Sequence, residues 1–303
     1  MGIYRIQVYF ARTFIRNEQV KKLANIAIVF CFAFIALALI DVPAFIENSR
    51  RGVLLFGTNV LPVLFPFFLI SSLLIELGLF RMFRPPAAVF LLSFLSGYPT
   101  GAQMLSQLYQ RGEISRNDAI KTATYTSAAS PIFVIATLGT CFYASTKLGI
   151  IIFTATALGA LVNGLFYRRI KFKNTPATPP KILKTHTDYN LPESISKALY
   201  ASIQNTLAVG GLIVIFYIAC APFGVVLASV LEMTTGVFLA STAHPLNYIL
   251  PCAIVSFGGL CVALQGFLFL KDLKMPFWFY LLYKTTHTIC ATAAVLVLGR
   301  IFL

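Results

Sequence analysis

The chain has 303 residues, 58% of them hydrophobic and only 11% charged, with a mean hydropathy of +0.82. A soluble globular protein carries about 25% charged residues, so this composition excludes one and asks for a lipid solvent. The net charge of +14 does not mark a nucleic-acid binder, because the basic residues fall between apolar runs, where they act as topology determinants.

Residues 1–23 mix Arg5, Arg12, Arg16, Lys21 and Lys22 with Ile3, Tyr4, Ile6, Val8, Phe10 and Phe14. That pattern predicts an interfacial amphipathic segment on the cytoplasmic side; no removable signal peptide is expected. A first span is expected over 24–40 and an outer loop over 41–51. The run 52–79 contains Pro62 and Pro66 and should cross inward with a kink, with Arg81 and Arg84 following inside.

The stretch 87–110 is apolar but broken at Ser96-Gly97-Tyr98-Pro99-Thr100-Gly101. A straight span would deliver Arg111, Arg116 and Lys121 to the outside. A re-entrant hairpin returns them to the cytoplasm, and arms of about ten residues, about 15 Å each, reach halfway into a hydrocarbon core of about 30 Å. Charge and length both favour the hairpin. Spans over 119–143 and 149–167 complete a first repeat, 52–167. A basic, proline-containing cytoplasmic linker, 168–194, follows.

The second repeat, 195–303, takes the same order: a span over 195–220, an interrupted apolar run over 222–243 that is either a span or a shorter feature, a broken stretch over 248–270, and a last span over 277–298. Setting Gly258-Gly259 against the first break pairs Gln265 with Gln103 and Lys284 with Lys121. With the hairpin, an odd number of crossings separates the two starts; 87–110 read as a span would instead make the repeat parallel and put the basic linker outside. The predicted fold is therefore an all-α polytopic membrane protein of two inverted repeats, each with a re-entrant hairpin, roughly six full spans and an N-terminal amphipathic segment.

Backbone leaves helical geometry inside a bilayer only where protein or a watery cavity satisfies the freed groups. Paired breaks in two halves point to a transporter site near the midplane. Ser96, Gly97, Tyr98, Thr100 and Gly101 at one break and Gly258 and Gly259 at the other are thus substrate-binding candidates. Gln103, Gln265, Ser127 and Ser130 join them as polar groups within apolar arms. Glu232, beside Thr234 and Thr235, and Lys284 join them as intramembrane charges. The structural alternatives are packing kinks at glycine, hydroxyls bonded to their own backbone and a snorkelling lysine. Cys31, Cys141, Cys220, Cys252, Cys261 and Cys290 read as small buried hydrophobes. His244 and His287 are too isolated to suggest metal, no cofactor is implied, and no catalytic motif suggests an enzyme.

Leu64-Phe65-Pro66-Phe67, Ser96-Gly97-Tyr98-Pro99-Thr100-Gly101-Ala102, Ser130-Pro131-Ile132-Phe133, Glu232-Met233-Thr234-Thr235-Gly236 and Ser256-Phe257-Gly258-Gly259-Leu260 occur in that order. Together they resemble the sporulation integral membrane protein family, whose members carry a nucleoside-recognition (gate) domain, and within it the stage V type associated with dipicolinic acid transport. The resemblance implies a transporter or facilitator in the bacterial cytoplasmic membrane for a small anionic or heterocyclic metabolite, dipicolinic acid being the one suggested. Family members typically carry a Lys at Gln103 and many an Asn near Ser127, so an anion would need Lys121 or Lys284 instead. The competing classes are a non-transporting scaffold or assembly component and a gate-type nucleoside or ion pathway. Expected partners are the solute and lipid, with a homo-oligomer open.

Overall fold

The computed structural model describes residues 25, 28–36, 38–78, 84–170, 172, 190–221, 225–244 and 247–302. The amphipathic segment expected over 1–23 and most of the linker expected over 168–194 lie outside the described residues. Met1–Arg51 and Gly52–Leu303 are separate compact units. In the first, the stretch expected as an outer loop is instead the start of a helix, α1 (Val42–Leu55). Asp41 accepts from the Ala44 N–H at 2.9 Å, and Pro43 sits in the first turn, two ordinary helix-start devices.

Every regular element described is helical. After a π-type turn at Phe56–Val60, the second unit continues with α2 (Leu61–Glu76), α3 (Pro85–Ser96), α4 (Thr100–Gln110), α5 (Arg116–Thr126), the π-wound α6 (Ile132–Phe142) and α7 (Thr146–Tyr167). The order then recurs as α8 (Leu191–Cys220), α9 (Val225–Leu231), α10 (Met233–Ala243), α11 (Ile249–Phe257), α12 (Gly259–Phe269) and α13 (Phe277–Phe302). Local chemistry sets several starts: Pro85 and Pro86 open α3, while Ser115 and Ser145 cap α5 and α7 by accepting from the N–H groups of Asp118 and Leu148.

Packing repeats with the order. α3 and α4 lie side by side as a hairpin, and so do α9 and α10. α4 rests on α5 as α10 rests on α11. Across the halves, α2 packs on α8 and α7 on α13, while α5 meets α13 as α11 meets α7. Each half is thus a long helix, a hairpin, a broken run and a second long helix. Counting α2, the α5–α6 run and α7 as crossings gives three between the two starts, the odd number that an inverted repeat requires.

One expectation changes. The break at Gly258-Gly259 is not a hairpin tip: α11 and α12 barely touch side by side, and 249–273 forms one membrane-length span. The second hairpin is α9–α10, turning at Glu232 in the apolar run 222–243. Lys121, on α5, and Lys284, on α13, therefore hold non-equivalent places, as do Gln103 and Gln265.

Among the described residues four helices are long and apolar enough to cross a membrane: α7, α8, the α11–α12 run and α13. The roughly six expected from sequence are not all reached by length, because α2 has 16 residues and the α5–α6 run is interrupted.

α7 and α13 cross closely at Gly159, where an added Cβ would stand 2.7 Å from the Ala291 nitrogen. Beside that crossing, fully buried Asn163 donates to the Thr124 and Tyr283 carbonyls at 2.8 and 3.0 Å and accepts from Thr286 Oγ1 at 2.7 Å. Hydrogen bonds between membrane helices contribute about 0.6–2 kcal/mol. Asn163→Leu, which removes all three bonds, should lower stability by about 2 kcal/mol, read as a fall in the thermal midpoint of the purified protein.

Candidate functional site

Each hairpin tip rests on the break of its own half. In the first half the Tyr98 N–H donates to the Ala128 carbonyl at 2.8 Å. Gly97, at φ +80°, would place a Cβ only 2.5 Å from the Ser130 nitrogen. In the second half the roles are exchanged. The tip residue is Glu232, and the glycine sits on the break: Gly259, at φ +73°, would place a Cβ 3.1 Å from the Leu231 carbonyl oxygen. Only glycine allows both that φ and that approach of backbone to backbone. The two Gly-rich motifs therefore solve the same contact from opposite sides.

Beyond each tip the second arm opens with Thr-Gly, Thr100-Gly101 and Thr235-Gly236. Each glycine faces a first-arm serine, Ser93 or Ser229. Aligned on this pair, Tyr98 corresponds to Met233, and these two side chains meet: the Tyr98 hydroxyl donates to the Met233 sulfur. The tips of the two halves are thus in contact with each other.

Glu232 is 3% exposed. Its carboxylate caps α10, accepting from the Thr234 N–H at 2.9 Å and the Thr235 N–H at 2.7 Å. The positive end of α10 offsets the cost of burying this charge. The corresponding start of α4 has Pro99 as its cap residue and no side-chain cap.

Between tips and breaks lies a cavity of about 130 Å³. Of the residues expected from sequence, Ser96, Gly97 and Tyr98 line it from the first tip and Ser130 from the first break. Glu232 and Thr234 line it from the second tip, and Gln265 from α12. Among the described residues the wall contains one carboxylate, Glu232, and no lysine, arginine or histidine.

The other expected residues stand off this wall. Gln103 donates to Ser72 Oγ at 2.9 Å and accepts from Ser71 at 3.4 Å, tying the first hairpin to α2. Gly101 packs against the Thr126 carbonyl, and Gly258 and Gly259 shape the second break. Thr235 supplies its N–H to Glu232, while Thr100 is buried with its hydroxyl unpartnered. Ser127 and Lys284 meet each other behind Tyr98, with Lys284 Nζ donating to the Ser127 carbonyl at 3.0 Å.

Sequence reasoning missed Asn59, Phe133, Thr137, Phe142, Met233 and Val262, all on the wall. Asn59 carried a signal, being the lone amide in the apolar run 52–79. Phe133 and Met233 sat inside motifs already singled out, but with no role assigned to either.

The two ends of the site differ. Phe142 stands just before α7 and Arg168 just after it, so they mark opposite ends of a helix about 33 Å long. The cavity reaches Asn59, Thr137 and Phe142 at one end. Toward Arg168 a buried apolar cluster that includes Met104, Leu108, Tyr167, Leu273 and Tyr280 fills the bundle. Across that end Gln110 donates to Asp272 at 2.6 Å and Arg116 to the Leu273 carbonyl at 2.7 Å.

Fold and site together define a polytopic helical membrane protein with a cavity between two hairpin tips and two helix breaks. The chain is 30% identical over 227 residues to the sporulation integral membrane protein YlbJ of Bacillus subtilis (strain 168). That match covers 64% of this chain and 56% of the relative, so it spans little more than half of the relative's length. No protein-family model and no solved structure matches the chain.

Proposed function

We propose that this chain carries a small single-ring heterocyclic solute, neutral or bearing at most one negative charge, across the bacterial cytoplasmic membrane. The observation behind this reading is the cavity itself, built from both tips, the first break and α12, where irregular backbone beside a cavity accords with a solute site. Its volume of about 130 Å³ is near the roughly 150 Å³ at which an apolar protein cavity takes a benzene ring. Phe133, Phe142 and Tyr98 offer ring faces, and Asn59, Ser130, Thr137 and Gln265 offer hydrogen bonds.

Dipicolinate, suggested by the resemblance, would bring two carboxylates beside Glu232 with no cation in the wall to meet them. A ring with one charge or none fits the chemistry better. With Arg168 and Arg169 on the cytoplasmic side, the cavity opens outward and is closed inward. Alternating access then consists of parting the tips along the Tyr98–Met233 contact while the outer end closes. The relative's description as a sporulation integral membrane protein accords with a membrane role of this kind.

Uptake of labelled uracil, nicotinate, uridine and dipicolinate by the purified protein in liposomes tests the proposal. Saturable movement of the single-ring solutes, at rates at least about tenfold above dipicolinate, is the expected result. Absence of saturable movement for all four would favour the scaffold reading.

Exposure supplies a second test. In a background with all six cysteines replaced, Thr137→Cys should react with a membrane-impermeant maleimide added outside, and solute should slow it. Thr100→Cys, 1% exposed in the native residue and off the cavity wall, should stay unmodified. Equal labelling of the two would contradict an outward-opening cavity.

A further inference from the structure

Lys284 is 1% exposed, and among the described residues no carboxylate forms an ion pair with it. Its ammonium donates to the Ser127 carbonyl at 3.0 Å and to Ser127 Oγ at 3.4 Å, and it stands 5.3 Å from the centroid of the Tyr98 ring. Ser127 terminates α5 at the first break. The ammonium therefore sits at the negative end of a broken helix, against a freed carbonyl, a hydroxyl and an aromatic face. That is the ligand set with which a broken membrane helix holds a monovalent cation: half-helix C-termini and unwound carbonyls coordinate such ions, and a ring face adds to them.

The second break is formed by Gly258 and Gly259, and the Lys284 ammonium bonds at the first. The other ionisable group beside it on α13, His287, meets the backbone of Thr156, with Nε2 3.0 Å from that carbonyl, and of Ser256 just before the second break.

We propose that the Lys284 ammonium is a built-in monovalent cation, filling a cation site formed by Ser127 and the Tyr98 ring and locking the first hairpin tip to the first break. The chain accordingly needs no dissolved sodium ion at this position. Tyr98 joins the two features, since one face of it meets the ammonium while its hydroxyl reaches Met233 of the opposite tip. This assignment goes beyond the solute reading and is tested by stability, so either can fail without the other.

The experiment measures thermal unfolding of the full chain in lipid nanodiscs, for wild type, Lys284→Ala and Lys284→Arg, in choline, sodium or methylammonium chloride at equal ionic strength. Lys284→Ala opens a vacancy of ammonium size. Its midpoint should rise saturably with methylammonium or sodium by about 2–4 °C, the shift that a modest ligand stabilisation gives a protein of this size. Wild type and Lys284→Arg should not distinguish the three salts. Equal response of Lys284→Ala to choline, or none to any cation, overturns the proposal. So does a selective stabilisation of wild type by sodium, a measurement that stands even where Lys284→Ala does not fold.

Discussion

Gly97→Ala is expected to abolish solute uptake, whereas Gly112→Ala should leave it within about twofold of wild type. Both glycines have a positive φ, +80° and +74°, but Gly97 combines it with ψ 178°, a region essentially restricted to glycine, so the backbone alone already costs Gly97→Ala about 1–3 kcal/mol. They differ in surroundings as well. Nothing lies within 4 Å of a Cβ on Gly112, while one on Gly97 meets the Ser130 nitrogen at 2.5 Å. That neighbour is backbone and cannot rotate aside, so the tip must lift off the break and lose the Tyr98 to Ala128 bond. Overpacking adds about 1–3 kcal/mol. Uptake and thermal unfolding measured on the same preparations separate the effects: a uniform loss of stability in both variants with equal uptake would mean that docking of the tip is irrelevant to transport.

Glu232→Ala is expected to reverse the charge preference of the site. The substitution removes the single carboxylate of the wall and frees the Thr234 and Thr235 N–H groups at the start of α10. Loss of the cap costs about 1–2 kcal/mol of stability. A unit charge about 6 Å from a solute, at an effective dielectric constant of about 20, is worth about 2–3 kcal/mol. Competition by nicotinate relative to uracil should therefore strengthen by about tenfold or more. Glu232→Gln, which keeps one acceptor for the cap, should hold stability closer to wild type and show the same direction of change. An unaltered nicotinate-to-uracil ratio in both variants would place the carboxylate outside the reach of solute.

Much of this fold was legible because membrane helices announce themselves by apolar length and the basic residues between them. The first hairpin followed from the charges after Gln110 and from the arm length. The second hairpin was misplaced for a physical reason. Glycine marks places where backbone approaches backbone, and in this chain it marks the tip in one half and the break in the other. Matching glycine to glycine therefore matched unlike features, and Glu232, the true counterpart of Gly97, lacked the expected signature.

The site was legible in part for a related reason. Breaks in an apolar run locate a cavity, but its wall also includes residues contributed by ordinary helical segments, such as Leu64 and Val209. Spacing along one segment says nothing about which face of another segment it meets. Lys284 and Gln103 show the converse: both are polar, buried and intramembrane, yet each serves to join elements rather than to line the wall.

The docking of each tip on its own break bears on how the protein is made. The Tyr98 N–H finds its acceptor only at Ala128, and the second tip meets its partner only at Gly259. At a synthesis rate of about 5–20 residues per second, a nascent first tip waits roughly 2–6 s for the segment that completes it. During that interval it cannot rest in hydrocarbon with its backbone unpaired. Each hairpin must therefore be held at the translocon or at the membrane surface and enter the bilayer together with the helix that follows.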